Sequence, residues 1–198
     1  MADIVTVRNE KITRLQYEAQ GFRNAFFILY NSMMNGKDCE KWWHDGDKMS
    51  VLGTNGCFAL ELYLKFLTVE ASFNSENLSG THLKIHKLDE LYDELTRVNY
   101  DYIQDLENNY SNIKYKGRRL TLKDFLSSIG DYFVDWRYAY DKGMLNINLN
   151  TLSSVLNFME EYSMGKFRPI ADILAKNPPL TSDNQTMSIS NFDDIQKQ

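Results

Sequence analysis

The sequence has few of the residues that interrupt helices or cross-link chains. Its 198 residues include three prolines and ten glycines, which leaves room for long uninterrupted helices. Cys39 and Cys57 are the only cysteines, and no Cys-x-x-Cys motif is present. Because one pair of thiols does not make a disulfide framework, we expect two reduced thiols in a cytoplasmic protein.

Long apolar runs are also missing. None approaches the roughly 20 residues that a membrane-spanning helix requires, so no membrane association is expected. The first thirty residues carry several charged side chains, namely Arg8, Glu10, Lys11, Arg14 and Glu18. This pattern is not that of a signal peptide, and we predict a soluble protein with cytoplasmic localisation.

Positive charge is in deficit, and the formal net charge is -5. The chain therefore lacks a global field that would attract nucleic acid, although a local basic patch can still do so. The sequence contains no GxxxxGK[ST], GxGxxG or GxSxG motif. Phosphate-loop nucleotide hydrolysis, Rossmann chemistry and α/β-hydrolase chemistry are excluded, and no cofactor is expected.

Apolar residues that recur every three or four positions dominate the rest of the chain. This period predicts an all-α fold, a bundle of five long helices joined by short links. We predict a single domain over residues 1–176 and a flexible tail over 177–198. We read 37–50 as a loop and expect Pro169 to open a short extra helix. The predicted core helices span about 10–35, 51–73, 87–107, 122–142 and 151–163.

The second predicted helix is apolar around nearly its whole circumference, which is typical of a helix surrounded by others. Glu61, Lys65 and Thr68 fall together in its one polar sector. Glu61 and Lys65 are four residues apart in the order that favours an ion pair. Structural pairing and contact with a ligand are both compatible with this pattern.

Three segments of the sequence form a pattern in a fixed order. The run from Asn55 to Leu67 is leucine-rich and carries Glu61 and Lys65, the segment His86-Lys-Leu88 follows it, and Trp136-Arg-Tyr-Ala-Tyr-Asp141 comes last. Together these segments resemble the HEPN family of helical bundles. The resemblance implies an antiparallel up-down bundle of four to five helices that often forms a homodimer. It also suggests a prokaryotic defence or stress-response setting, such as a toxin–antitoxin pair with a nucleotidyltransferase partner protein.

Many HEPN proteins are metal-independent ribonucleases that share an arginine and a histidine with four to six residues between them. In this chain the positions after Arg137 hold Lys142, Gly143 and Met144. The usual acid–base group is therefore missing from its usual place. A rearranged site remains open, in which His86 activates the ribose 2′-hydroxyl and Arg137 stabilises the phosphate charge.

The candidate binding residues include one basic cluster in an otherwise acidic chain. Arg137 is followed by Tyr138 and suits stacking on a base or contact with a phosphate, and also an ion pair with Glu61 or another core carboxylate. The basic cluster consists of Lys114, Lys116, Arg118 and Arg119. A solvated loop is the default reading of this cluster, and contact with RNA or phosphate is the alternative. His82 and His86 are four apart, but no third ligand accompanies them, so no metal site is predicted.

These patterns favour a binding or regulatory module that recognises RNA, a nucleotide or a protein, rather than an enzyme. Its binding residues would be Glu61, Lys65, Tyr138 and the basic cluster. The first alternative is a metal-independent endoribonuclease that uses His86 and Arg137. The second is a protein–protein scaffold, which predicts a large exposed apolar face.

Overall fold

The computed structural model describes residues 2–35, 46–72, 84–111, 120–130 and 148–176. These residues are almost entirely helical and include no strand, which confirms the predicted all-α fold class. We number the helices α1 (Ala2–Asn35), α2 (Gly46–Ala71), α3 (Leu88–Val98), α4 (Tyr100–Ser111), α5 (Leu122–Ile129) and α6 (Leu149–Lys176). Within the described ranges the chain thus forms six helices.

Helix α1 runs antiparallel to α6. Near the middle of α1, Gln16 Nε2 donates to Ser163 Oγ at 3.2 Å, and further along it Tyr30 donates to Asn150 Oδ1 at 2.6 Å. Residues nearer the C-terminus of α1 thus contact residues nearer the N-terminus of α6. From residue 11 onward, the buried apolar residues of α1 are Ile12, Leu15, Ala19, Phe26 and Met33. Together with the partly buried Phe22 and Leu29 they recur every three or four residues, the period that predicted this helix.

Helix α2 occupies the centre of the bundle and runs parallel to α6. Gly56 meets Leu152, while Phe66 lies 6.2 Å from Phe167 between ring centroids. Helices α1, α3 and α6 all pack against α2. From residue 59 to residue 69 every side chain of α2 is buried. The prediction of a central helix surrounded by others is therefore confirmed.

The third predicted helix, 87–107, is divided in two at Asn99. This residue has extended backbone angles, with φ -155° and ψ 101°. Its side-chain oxygen accepts a hydrogen bond from the Tyr102 backbone N–H at 3.0 Å, as a helix N-cap does. The break shifts the buried face, so that Ile103 is fully buried while Tyr102 is only partly buried.

Helix α5 begins at a double cap. Asp124 N–H donates to Thr121 Oγ1 at 3.0 Å, the first of the two hydrogen bonds of a capping box. Glu107 of α4 accepts from the backbone N–H groups of Leu122 and Lys123, each at 3.1 Å. The carboxylate thus supplies acceptors and negative charge at a helix N-terminus, where both are favourable.

Three predicted boundaries were wrong. Helix α1 begins at Ala2 rather than near residue 10, since 2–9 contain no proline or glycine that would stop it. Helix α2 already begins at Gly46, inside the predicted loop, and Met49 in its first turn packs against the core. Helix α6 continues through Pro169 to Lys176. A proline in a helix removes one hydrogen bond but need not end the helix.

None of the helices in these ranges is long and apolar enough to cross a membrane. The predicted tail over 177–198, most of the predicted loop over 37–50 and the predicted helical residues 131–142 lie outside the described residues.

Candidate functional site

The polar sector of α2 lies inside the bundle. Glu61, Lys65, Thr68 and Ser72 recur every three or four residues, and all four are buried. The two hydroxyls are satisfied locally, because Thr68 donates to the Leu64 carbonyl at 2.8 Å and Ser72 to the Val69 carbonyl at 2.7 Å. The two charged residues make the distinctive contacts of this sector.

Glu61 and Lys65 form a buried ion pair. Lys65 Nζ lies 2.6 Å from Glu61 Oε1, and the side chains of Lys65 and Glu61 are 7% and 2% exposed. Removing two charges from water is costly, and their mutual attraction offsets that cost only in close geometry. The short contact therefore offsets part of the cost of burying the two charges. Removal of one partner would leave the other charge buried.

His86 joins this pair from the segment just before α3. Its Nδ1 lies 3.0 Å from the same Glu61 oxygen, Oε1, while the imidazole side chain is 54% exposed. An ionised carboxylate only accepts hydrogen bonds, so we assign the proton to Nδ1. In that tautomer Nε2 is the acceptor of the neutral ring. The geometry thus combines a buried anchor with a ring at the surface.

The second oxygen of Glu61, Oε2, is buried and has no hydrogen-bond partner within the described residues. Both contacts of the carboxylate with Lys65 and His86 converge on Oε1. An unpaired buried oxygen costs free energy, so Oε2 is the less well satisfied oxygen of this carboxylate.

The structure brings together three of the predicted site residues, Glu61, Lys65 and His86. The remaining ones lie outside the described residues, namely Lys114, Lys116, Arg118, Arg119, Arg137 and Tyr138. Their proximity to His86 therefore stays a prediction. Within the part of the chain that is described, no group of three or more His, Cys, Asp and Glu side chains could hold a metal ion.

The arrangement suits hydrogen bonding and proton transfer. A carboxylate that fixes one imidazole nitrogen sets the ring orientation and leaves the other nitrogen for a ligand or a substrate proton. Lys65 supplies a compensating positive charge next to the carboxylate. The same three groups could therefore serve as a binding anchor or as a general base with its orienting carboxylate.

The sequence did not reveal two further polar clusters. Tyr63 of α2 donates a hydrogen bond to Glu160 of α6, and Gln20 of α1 donates to the same carboxylate at 2.9 Å. The other cluster lies between α4 and α6, where Tyr162 donates to Asp105 at 2.7 Å. Their partners are far apart in sequence, so no local pattern could have indicated them.

Comparison with protein-family models, with curated proteins and with solved structures finds no match for this chain.

Proposed function

We propose that this chain is a HEPN-like binding module that recognises RNA or a nucleotide at the surface formed by His86. The observation that carries the proposal is the anchoring of an exposed imidazole by a buried carboxylate, with Nδ1 3.0 Å from Glu61 Oε1. A ring whose orientation is fixed loses less entropy when it binds a ligand. Burial of Glu61 and Lys65 explains why that orientation is maintained.

Charge for phosphate recognition comes from the basic cluster of the sequence, Lys114, Lys116, Arg118 and Arg119. An acidic protein binds RNA only where cations are locally concentrated, and such binding weakens steeply with salt. We expect an affinity that falls about tenfold or more between 50 and 200 mM salt if three or four phosphates are contacted.

The test is fluorescence anisotropy with a labelled single-stranded RNA, with ATP as an unlabelled competitor. One variant replaces the four basic-cluster residues by glutamine. Its matched control replaces four other cations by glutamine. Lys11 and Arg14 lie on α1, Lys84 lies before α3 and Arg97 lies on α3. Both variants have the same net charge, so only a local effect separates them.

The cluster variant should lose affinity by about tenfold and lose most of its salt dependence, whereas the control should change little. His86→Ala should weaken binding by about tenfold with unchanged circular dichroism. Equal losses of RNA affinity in the cluster variant and its control would show that binding depends only on total charge, and would reject the proposal.

A metal-independent endoribonuclease is the second candidate, and the carboxylate–imidazole pair favours it. General-base catalysis requires an imidazole that a partner orients and whose other nitrogen is open to a substrate. His86 meets both requirements, because Glu61 contacts its Nδ1 and the ring is exposed. Arg137 would stabilise the charge on the phosphate. RNA cleavage in EDTA by the wild type, lost in His86→Ala and reduced in Glu61→Gln, would support this candidate. Equal background in all three would reject it.

A protein interface is supported by exposed apolar side chains on α1. Tyr17 and Ile28 are largely exposed and eleven residues apart, which places them on one face of the helix. The face suits a homodimer or a partner such as a nucleotidyltransferase, in the defence or stress-response setting that the resemblance suggests. Sedimentation equilibrium tests this directly, because Ile28→Lys should convert a dimer to a monomer. A wild type that is monomeric at 100 µM or more would reject the homodimer.

A further inference from the structure

Two tyrosine rings and a carboxylate surround the ammonium group of Lys166 where α4 meets α6. The rings of Tyr102 and Tyr162 are 6.2 Å apart between centroids and nearly perpendicular, at 85°. Lys166 Nζ lies 4.7 Å from the Tyr102 centroid and 5.2 Å from the Tyr162 centroid. It lies 3.2 Å from Asp105 Oδ2. We call Tyr102, Tyr162 and Asp105 the ammonium cage.

The net charge around the cage is negative. Tyr162 donates a hydrogen bond to Asp105 Oδ2 at 2.7 Å, which aligns the carboxylate with the rings. Burial raises the pKa of Tyr102, and the carboxylate of Glu70 raises it further. Burial, the Asp105 contact and Glu70 raise the pKa of Tyr162 as well. Two carboxylates therefore act on rings that hold one ammonium group, and a cation is the favoured guest.

Lys166 occupies this cage loosely. Its side chain is 33% exposed and that of Asp105 is 52% exposed, so water competes for their contact. At 3.2 Å the contact is longer than the 2.7–2.9 Å, roughly, of a strong charge-assisted hydrogen bond. A primary ammonium is strongly hydrated and loses little when it returns to water. Lys166 is thus the kind of guest that another cation can displace.

We propose that the ammonium cage is a binding site for an alkylammonium group of another molecule, and that Lys166 fills it when that molecule is absent. Crossed aromatic rings with a nearby carboxylate attract a cation through the ring quadrupole and through charge. Methylation weakens hydration of an ammonium group and enlarges its apolar surface, so quaternary groups gain most from such rings. A trimethyllysine side chain and a choline-type small molecule both carry such a group. This site is separate from His86 and does not rest on RNA binding.

The experiment titrates the intact chain with choline and with 3,3-dimethyl-1-butanol, the neutral molecule of nearly the same shape, and follows tyrosine fluorescence or NMR shifts. The key variant is Lys166→Ala, which empties the cage. The matched control is Lys84→Ala, an exposed lysine outside it. Circular dichroism confirms that each variant is folded.

Lys166→Ala should bind choline about tenfold more tightly than the wild type and the control, and about tenfold more tightly than the neutral molecule. Asp105→Asn in the Lys166→Ala background should reverse most of the gain, since it removes the charge but keeps the size. A short peptide with trimethyllysine, compared with choline, identifies the source of the group, and tighter binding of either one supports the site.

Three results would overturn the proposal. The first is that neither choline nor the trimethyllysine peptide binds Lys166→Ala. The second is that choline and its neutral analogue bind equally, which would leave no role for charge. The third is that binding persists in Lys166→Ala combined with Tyr162→Leu, because the guest would then lie elsewhere.

Discussion

Gly56 of α2 and Leu152 of α6 meet at a point where no side chain fits between the two helices. A Cβ atom at position 56 would lie 2.7 Å from Leu152 Cδ2 and 3.1 Å from Phe26 Cδ2. The absent side chain thus allows α1, α2 and α6 to converge. Glycine is otherwise unfavourable in a helix, so its use here reflects the close approach.

Gly56→Ala should destabilise the fold by about 1–3 kcal/mol, because the added methyl group overpacks the core. Gly21→Ala is the matched control. Nothing lies within 4 Å of a Cβ at Gly21, so the better helix propensity of alanine should stabilise α1 by about 0.5–1 kcal/mol. Urea unfolding of both variants measures the two changes. Changes of the same sign would contradict this packing.

Lys65→Met should destabilise the protein by about 3 kcal/mol or more, since it leaves the Glu61 carboxylate buried without its ammonium partner. Adding Glu61→Gln to Lys65→Met removes the stranded charge and should restore part of the loss. Denaturation of the two single variants and the double variant gives the coupling free energy. A double variant whose loss equals the sum of the single losses would show that the pair is uncoupled.

Glu107→Ala should destabilise the bundle by about 1–3 kcal/mol, since the Leu122 and Lys123 amides and the Tyr92 hydroxyl lose an acceptor. Glu161→Ala on the exposed side of α6 removes the same charge and should change stability by less than about 0.5 kcal/mol. Thermal unfolding of both variants distinguishes the two effects. Similar melting temperatures would argue against the cap.

Alkaline pH should weaken the fold through Cys57. Burial raises the pKa of this thiol to about 12, whereas it is about 8.5 in an unfolded chain. Because the folded-state pKa is the higher one, the stabilising contribution is complete below pH of about 8.5 and is lost as pH rises toward 12. Between pH 8 and 9.5 the loss should be about 1 kcal/mol.

Cys57→Ala removes that titration. The variant should be less stable at pH 8, because a buried sulfur is replaced by a smaller group, but its free energy of unfolding should fall less between pH 8 and 9.5. Chemical denaturation at the two pH values measures both slopes. Parallel slopes would show that the thiol does not titrate on unfolding.

The sequence allowed the fold class and much of the core to be predicted because both depend on local periodicity. Leu88, Leu91 and Leu95 are buried as their spacing indicates, and Thr121 caps α5 through Asp124. The break at Asn99 was missed because the apolar period continues across it in the sequence. Asparagine is favoured at helix N-caps but also occurs inside helices, so its identity alone did not reveal a cap.

The candidate site was only partly accessible from the sequence. Glu61 and Lys65 share a helix face at a spacing of four, which made their contact predictable. The approach of His86 to Glu61 joins residues 25 positions apart, and no local spacing indicates it. The contact of Lys166 with Tyr102 joins residues 64 positions apart by number, and only the packing of α4 on α6 creates it. A single polar contact of this kind between two helices leaves no periodic trace in either helix.

The enclosure of α2 by α1, α3 and α6 has a consequence for how the protein opens. Amide protons in the middle of this helix can reach water only when the surrounding helices separate, so their exchange with deuterium should follow global unfolding. Fraying at the ends of the outer helices would not expose them. The slowest-exchanging amides should therefore cluster between residues 59 and 69, where every side chain is buried.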